Sequence, residues 1–202
     1  MNIYLIITIV VVLVLVISLP LGRRMVVNSV ENSLLQENFD KFDKQIKRWY
    51  IKIFIQPFNV DFLKLNRAIL SEDKEMTDEM FEHFDHVNLN EDQKEQVYYR
   101  GFQYYVTEGN RKMSDKYYDL IKDLSNEDLI NYVDRLYDVY VRKGWKYLDE
   151  MIDEVQEDDG LTKDEQLEHY SMISTMYDNK GDKKNADKYM DIITSEFDKD
   201  DA

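Results

Sequence analysis

The sequence contains no cysteine, which excludes disulfide bonds and thiol catalysis. It also has only two prolines and six glycines among 202 residues, and this scarcity disfavours a disordered linker and suits a chain made mostly of helix. What the chain does have is bulk for helix–helix interfaces, in the form of fifteen tyrosines and nine phenylalanines. We therefore predict an all-α protein.

Charge is absent from the first part of the chain. Residues 3–19 are uncharged and apolar, and the run extends through residue 22 before Arg23 and Arg24. A helix of about 20 residues at roughly 1.5 Å per residue matches the hydrocarbon thickness of a bilayer. A cleaved signal peptide is the alternative, but no basic residue precedes the run and no small-residue cleavage site follows it. We predict a single uncleaved transmembrane helix, with the lipid bilayer as a partner through residues 3–22.

The orientation of that span is predicted from its flanks. Arg23 and Arg24 are the basic side chains next to the apolar run, and both lie on its carboxyl side. Basic residues next to a membrane span remain on its cytoplasmic side. We therefore predict a single-pass membrane protein with residues 25–202 in the cytoplasm. The alternative is an extracytoplasmic domain, since two arginines are a small bias.

Charge then divides the rest of the chain. Residues 1–70 carry a net charge of +4, whereas residues 71–202 carry seventeen basic and thirty-six acidic side chains, a net of −19. This balance argues against nucleic acid as a partner. Apolar spacing predicts one helix that Pro57 ends or kinks. The basic side chains of this helix are either simply solvated or lie near an anionic membrane leaflet. A later helix is predicted to be capped by Thr77.

Helical pairs follow from residue 90 onward. Gly109, Gly144 and Gly181 are predicted turn positions, and they lie 35 and then 37 residues apart. Ser125 with Asp128, and Thr162 with Glu165, have the spacing of a capping box at a helix start. Each pair is therefore predicted to be two antiparallel helices joined by a tight turn.

The last pair, residues 166–197, carries a recognisable pattern. It has Tyr170, Ile173 and the small Ser174, then Tyr177, a Gly-Asp turn and Ala186 in the second helix. This pattern resembles a tetratricopeptide (TPR) repeat. The resemblance covers residues 90–197 and implies an α-solenoid of antiparallel helical pairs. We accordingly divide the chain into an anchor with a basic flank (1–24), connecting helices with a possible divergent pair (25–88), and TPR-like repeats (89–202).

The resemblance also implies a function. In this family the first helices of successive pairs line a concave groove that holds a peptide or a partner helix. The corresponding polar positions, which could equally be an ordinary hydrated face, are Tyr99, Gln103, Asp134, Asp138, Ser171, Thr175 and Asp178. We predict a membrane-anchored, non-enzymatic interaction or scaffold protein with a protein or peptide partner. The alternatives are an anchored extracytoplasmic chaperone-like module for envelope or secreted clients, and an unrecognised enzyme.

Chemical motifs are sparse. The sequence has no phosphate-binding glycine loop and no recognisable catalytic grouping, so we predict no catalytic residue and no cofactor. His83 and His86 have a spacing that could serve one metal ion, with Glu82 or Asp85 nearby. A zinc site needs three or four ligands, however, and we predict none here. Residues 153–160 fail the calcium-loop pattern and are interpreted as an acidic loop.

Overall fold

The computed structural model describes residues 20–156 and 160–200, with side chains described through residue 196 outside that gap. Across these residues the chain is predominantly helical, and no strand occurs among them. The all-α part of the predicted fold class is therefore confirmed. The chain divides into two compact units, residues 1–93 and residues 94–202.

The membrane part of the predicted fold class is corrected. Among the described residues, no helix combines the length and the apolar composition that crossing a bilayer requires. The described start of the chain, residues 20–35, is a helix (α1) that carries Arg23, Arg24 and Glu31 and buries Val30 and Leu34. The predicted transmembrane helix and single-pass localisation are thus wrong for the described chain, and residues 3–19 of the predicted span lie outside it.

The described part of the first unit contains four further helices. They are α2 (Phe39–Ile46), α3 (Ile51–Phe54), α4 (Pro57–Leu70) and α5 (Lys74–Asp85). Part of its core is an apolar cluster contributed by α1, α2, α3 and the residue after α3, made of Val30, Leu34, Phe42, Ile51 and Ile55.

The single helix predicted before Pro57 is broken at residues 36–38 and again at residues 47–50. Glu37 adopts a left-handed conformation with φ 52°, and Asn38 then caps α2 by accepting a hydrogen bond from the Lys41 amide at 3.1 Å. Pro57 opens α4 instead of ending the preceding helix, because its missing N–H costs nothing in the first turn. Periodicity alone cannot show these breaks, since the apolar spacing continues across them.

Two predicted caps lie a few residues from the true ones. Asp73 caps α5 by accepting from the Met76 amide at 3.0 Å, while Thr77 is buried and donates to the Asp73 carbonyl. Asn126, rather than Ser125, caps the helix after residue 125. Asparagine and aspartate compete with serine and threonine as caps, and the neighbouring turn geometry decides between them.

The described residues of the second unit form three helical pairs. The first pair is α6 (Glu91–Thr107) and α7 (Arg111–Lys122), with residues 91–93 of α6 assigned to the first unit. The second pair is α8 (Glu127–Leu136), extended by a π-turn (Tyr137–Val141), and α9 (Leu148–Gln156). The third pair is α10 (Lys163–Lys180) and α11 (Lys183–Asp200), and the predicted Thr162–Glu165 capping box at the start of α10 is confirmed.

One turn recurs along the chain. The N–H of a left-handed residue donates to the carbonyl three residues back, and the next N–H donates to the carbonyl five residues before it. This pattern, which satisfies the last carbonyls of a helix, centres on Glu37, Glu72, Gly109 and Gly181. The next side chain then caps the following helix, as Asn110 does for α7.

The first and third pairs share aromatic packing as well. Tyr105 stacks on Tyr117 with ring centroids 5.6 Å apart and 14° between the planes. Tyr177 and Tyr189, each 72 residues later, stack at 5.8 Å and 19°. Two pairs with unlike sequences therefore close their helices through the same ring contact.

The middle pair is built differently. Its left-handed residue is Lys143, with φ 56°, and the Gly144 amide reaches back to the Asp138 carbonyl at 2.8 Å. A Cβ at Gly144 would lie 2.5 Å from an Asp138 carboxylate oxygen, so only glycine fits. Asn179 of α10 donates to the carbonyls of Val139 and Gly144, at 2.9 and 3.1 Å. These bonds tie the π-turn to the third pair.

Candidate partner-binding groove

A groove of about 220 Å³ lies across the first helices of all three pairs. Helix α6 contributes five side chains to this groove. Helix α8 and its π-turn contribute three, and α10 contributes one. The residues that line this tyrosine groove are Tyr99, Phe102, Gln103, Val106, Thr107, Tyr132, Leu136, Tyr140 and Glu168. Steps of three and four along each helix bring its contributing residues to one face.

A hydrogen-bonded network spans the three helices at one end of the groove. Gln103 Nε2 donates to the Tyr99 hydroxyl at 2.8 Å, and the Tyr132 hydroxyl donates to Glu168 Oε1. The rings of Tyr99 and Tyr132 lie 6.1 Å apart with 57° between their planes. Two tyrosines, one amide and one carboxylate are thereby held in fixed relative positions.

Both tyrosine hydroxyls of this network remain protonated at neutral pH. Burial raises the pKa of Tyr99, although its hydrogen bond with Tyr132 partly opposes that shift. Burial is also the main cause that raises the pKa of Tyr132, followed by its hydrogen bond to Glu168. Because a phenol that donates to a carboxylate resists ionisation, Glu168 carries the negative charge of the network.

Arg135 of α8 belongs to an ion-pair cluster beside the groove and is not one of the groove-lining residues. Its guanidinium donates two hydrogen bonds to Glu154 of α9, at 2.7 and 2.9 Å, and one to Glu150 at 2.6 Å. The hydrogen bond from Arg135 is the main cause that lowers the pKa of Glu154. His169 Nε2 lies 3.2 Å from the same Glu154 carboxylate. This cluster joins the second and third pairs beside the groove.

The structure brings only some of the predicted site residues together. Tyr99 and Gln103 line the groove from successive turns of α6. Ser171, Thr175 and Asp178 continue the α10 face that bears Glu168, but they are not among the lining residues. The Thr175 hydroxyl donates to the Ser171 carbonyl at 2.9 Å, and Asp178 is exposed.

Asp134 and Asp138 lie elsewhere. Asp134 accepts hydrogen bonds from the Tyr118 hydroxyl at 2.7 Å and from Lys122 at 3.1 Å, so it faces α7. Asp138 is buried and accepts from the Lys146 amide at 3.0 Å. Tyr132 lines the groove and Asp134 does not, because the two side chains lie on opposite sides of α8.

Seven of the nine groove residues were not predicted from the sequence, among them Tyr132, Tyr140 and Glu168. Tyr132 and Tyr140 are tyrosines, which we interpret from the sequence as bulk for helix–helix interfaces and not as groove positions. Glu168 lies three residues before Ser171 on the same face of α10, so extending that face by one turn finds it.

The possible metal site around His83 is occupied by other contacts. His83 Nε2 lies 3.2 Å from the Asp61 carboxylate of α4, and Lys64 pairs with the same carboxylate at 2.8 Å.

Comparison with known proteins adds no assignment: no family model matches the chain, and neither a curated protein nor a solved structure shows significant similarity to it.

Proposed function

We propose that residues 90–197 form TPR-like helical pairs whose tyrosine groove binds a segment of a partner protein. The protein would then be a non-enzymatic interaction or scaffold protein. The observation that carries this proposal is the composition of the groove, to which the first helix of each of three successive pairs contributes. Such a surface is where helical-repeat proteins hold their ligands.

The repetition of local structure supports the likeness to a helical repeat. The turns at Gly109 and Gly181 have the same two hydrogen bonds, and the tyrosine stacks that follow them recur 72 residues apart. That distance is about two repeats of the 34-residue family period, with short insertions. Repetition at this level is expected when each pair buries its apolar face only against its neighbours.

The side chains of the groove suit a polypeptide segment. Val106, Leu136 and Tyr140 offer apolar contact, whereas Tyr99 and Gln103 offer polar groups that can contact a peptide backbone. Tyrosine is a frequent anchor at interfaces, because a rigid ring gives a large contact area with little loss of rotamer entropy.

Site-directed photocrosslinking tests the proposal, because a chain without cysteine accepts a single labelled thiol cleanly. A benzophenone maleimide is attached at Thr107→Cys on the groove, or at Asp119→Cys, an exposed position of α7 outside the groove. Each labelled full-length protein is irradiated in an extract of the source cells, and adducts are identified by mass spectrometry. We expect one protein to crosslink at residue 107 and not at residue 119. Equal adducts at both positions, or none at residue 107, would contradict the proposal.

A further inference from the structure

We propose that the tyrosine groove recognises a cationic side chain, lysine or arginine, of the segment that it binds. The cation would lie against the rings of Tyr99, Tyr132 and Tyr140 and pair with the Glu168 carboxylate. This inference rests on the function proposed above and specifies the chemistry of its ligand.

The aromatic walls are the first argument. Tyr99 and Tyr132 present two rings 6.1 Å apart at an angle of 57°, and Tyr140 lines the same groove. The face of an aromatic ring carries partial negative charge and attracts a cation within about 6 Å of its centroid. Because the two centroids are only 6.1 Å apart, one ammonium or guanidinium group can lie within that range of both.

Charge complementarity is the second argument. Glu168 is the one charged residue among those described as lining the groove, and none of them is basic. The guanidinium of Arg135 is engaged by Glu150 and Glu154. The second unit as a whole has sixteen basic and twenty-seven acidic side chains, a net of −11. An anionic ligand would be repelled here, whereas a basic segment would be attracted before contact.

The hydrogen-bond network supplies the third argument. The Tyr132 hydroxyl holds Glu168 through Oε1, and a carboxylate has further acceptor sites on its two oxygens. The Tyr99 hydroxyl, which accepts from Gln103, is a second polar group of the same network. A purely apolar ligand side chain would desolvate these groups without replacing their bonds to water. A cationic side chain donates hydrogen bonds to them.

The test uses peptides as defined probes. A phage-displayed library of random peptides is selected on the full-length protein, and the selected peptides are synthesised with a fluorescent label. Binding is measured by fluorescence anisotropy to the native protein and to Thr107→Trp, in which a bulky ring at an exposed groove position obstructs the groove. Peptides that lose binding to this variant are groove ligands.

We expect the groove ligands to share a lysine or arginine. Replacing that residue with norleucine, or Glu168 with glutamine, should each weaken binding about tenfold, the loss of one charge-assisted contact. The matched control is Asp119→Asn, which removes an exposed carboxylate of α7 outside the groove and should leave affinity unchanged. Circular dichroism verifies that each variant is folded.

The outcomes separate the two proposals. Groove ligands without a shared basic residue, or with affinity that survives both replacements, would overturn the cation inference and leave the proposed function intact. If no selected peptide is sensitive to Thr107→Trp, the groove is not the peptide-binding surface, and both proposals are contradicted.

Discussion

Replacing Gly101 with alanine tests a close contact between the two helices of the first pair in the second unit. Gly101 is buried in α6, and a Cβ built on it would lie 2.6, 2.7 and 2.8 Å from three atoms of the Tyr117 ring on α7. Carbon atoms do not approach so closely without displacement. Tyr117 is only 1% exposed and stacks on Tyr105, so its ring has little room to shift.

Two opposing terms determine the size of the effect. Alanine in place of glycine inside a helix is worth about 1 kcal/mol of stability. Overpacking a closed contact costs roughly 1–3 kcal/mol. We therefore expect Gly101→Ala to lower the free energy of unfolding by up to about 2 kcal/mol. A loss of 1 kcal/mol corresponds to a fall in Tm of roughly 2–4 °C for a domain of 150–250 residues and to a larger fall for a smaller unit.

Gly22→Ala is the matched control, because Gly22 is also helical but has space for a methyl group. Its nearest neighbour would be a Phe54 ring atom at 3.4 Å, an ordinary contact. The control should gain up to about 1 kcal/mol, so the two substitutions differ in sign. Both are measured by urea unfolding followed by far-ultraviolet circular dichroism. In a Tyr117→Leu background the Gly101→Ala penalty should shrink. If Gly101→Ala is as stabilising as the control, α6 and α7 do not approach as described.

The two remaining predictions concern a strained turn and a buried phenol. Glu72 has φ 56°, a conformation that costs a residue with a Cβ about 1–2 kcal/mol. Glycine avoids this cost but adds conformational entropy to the unfolded chain, which offsets part of the gain. Glu72→Gly should therefore raise the free energy of unfolding in urea by about 0.5–1 kcal/mol. Glu75→Gly in the first turn of α5 is its control and should be destabilising; a loss at both positions would contradict the strain argument. Burial, followed by a hydrogen bond to Asp134, raises the pKa of Tyr118 from 10.0 to about 12. The protonated Tyr118 hydroxyl therefore stabilises the folded state fully below pH 10, and this contribution is lost as the pH rises towards 12. Tyr118→Phe should therefore lose less stability than the native protein between pH 10 and pH 12, and parallel curves in alkaline urea unfolding would refute this assignment.

Local sequence was sufficient for features that depend on neighbouring residues. The Thr162–Glu165 capping box was predicted and is present, because each partner bonds a backbone amide three residues away. The left-handed turns at Gly109 and Gly181 were located from glycine itself. The same turn at Glu37 and Glu72 was not predicted, since glutamate carries no preference for it and the packing of the adjoining helices imposes the conformation.

The apolar run at the start of the chain shows a different limit. Its composition predicted a membrane span, but the described helix that follows it carries charges and buries Val30 and Leu34 in the core of the first unit. Hydropathy registers how apolar a segment is. It does not register that residues 20–35 belong to the first unit, where Val30 and Leu34 pack into an apolar cluster.

The sequence by itself determined that this chain is helical, roughly where its pairs turn, and that Tyr99 and Gln103 share a face of α6. Only the tertiary structure decided that Tyr132 faces the groove while Asp134 faces α7. The physical reason is that tyrosine has an apolar ring and a polar hydroxyl, so it is stable both in a core and at a groove wall. Its place depends on partners distant in sequence, here Glu168, which is 36 residues away. Helical periodicity acts over four residues and carries no information at that distance.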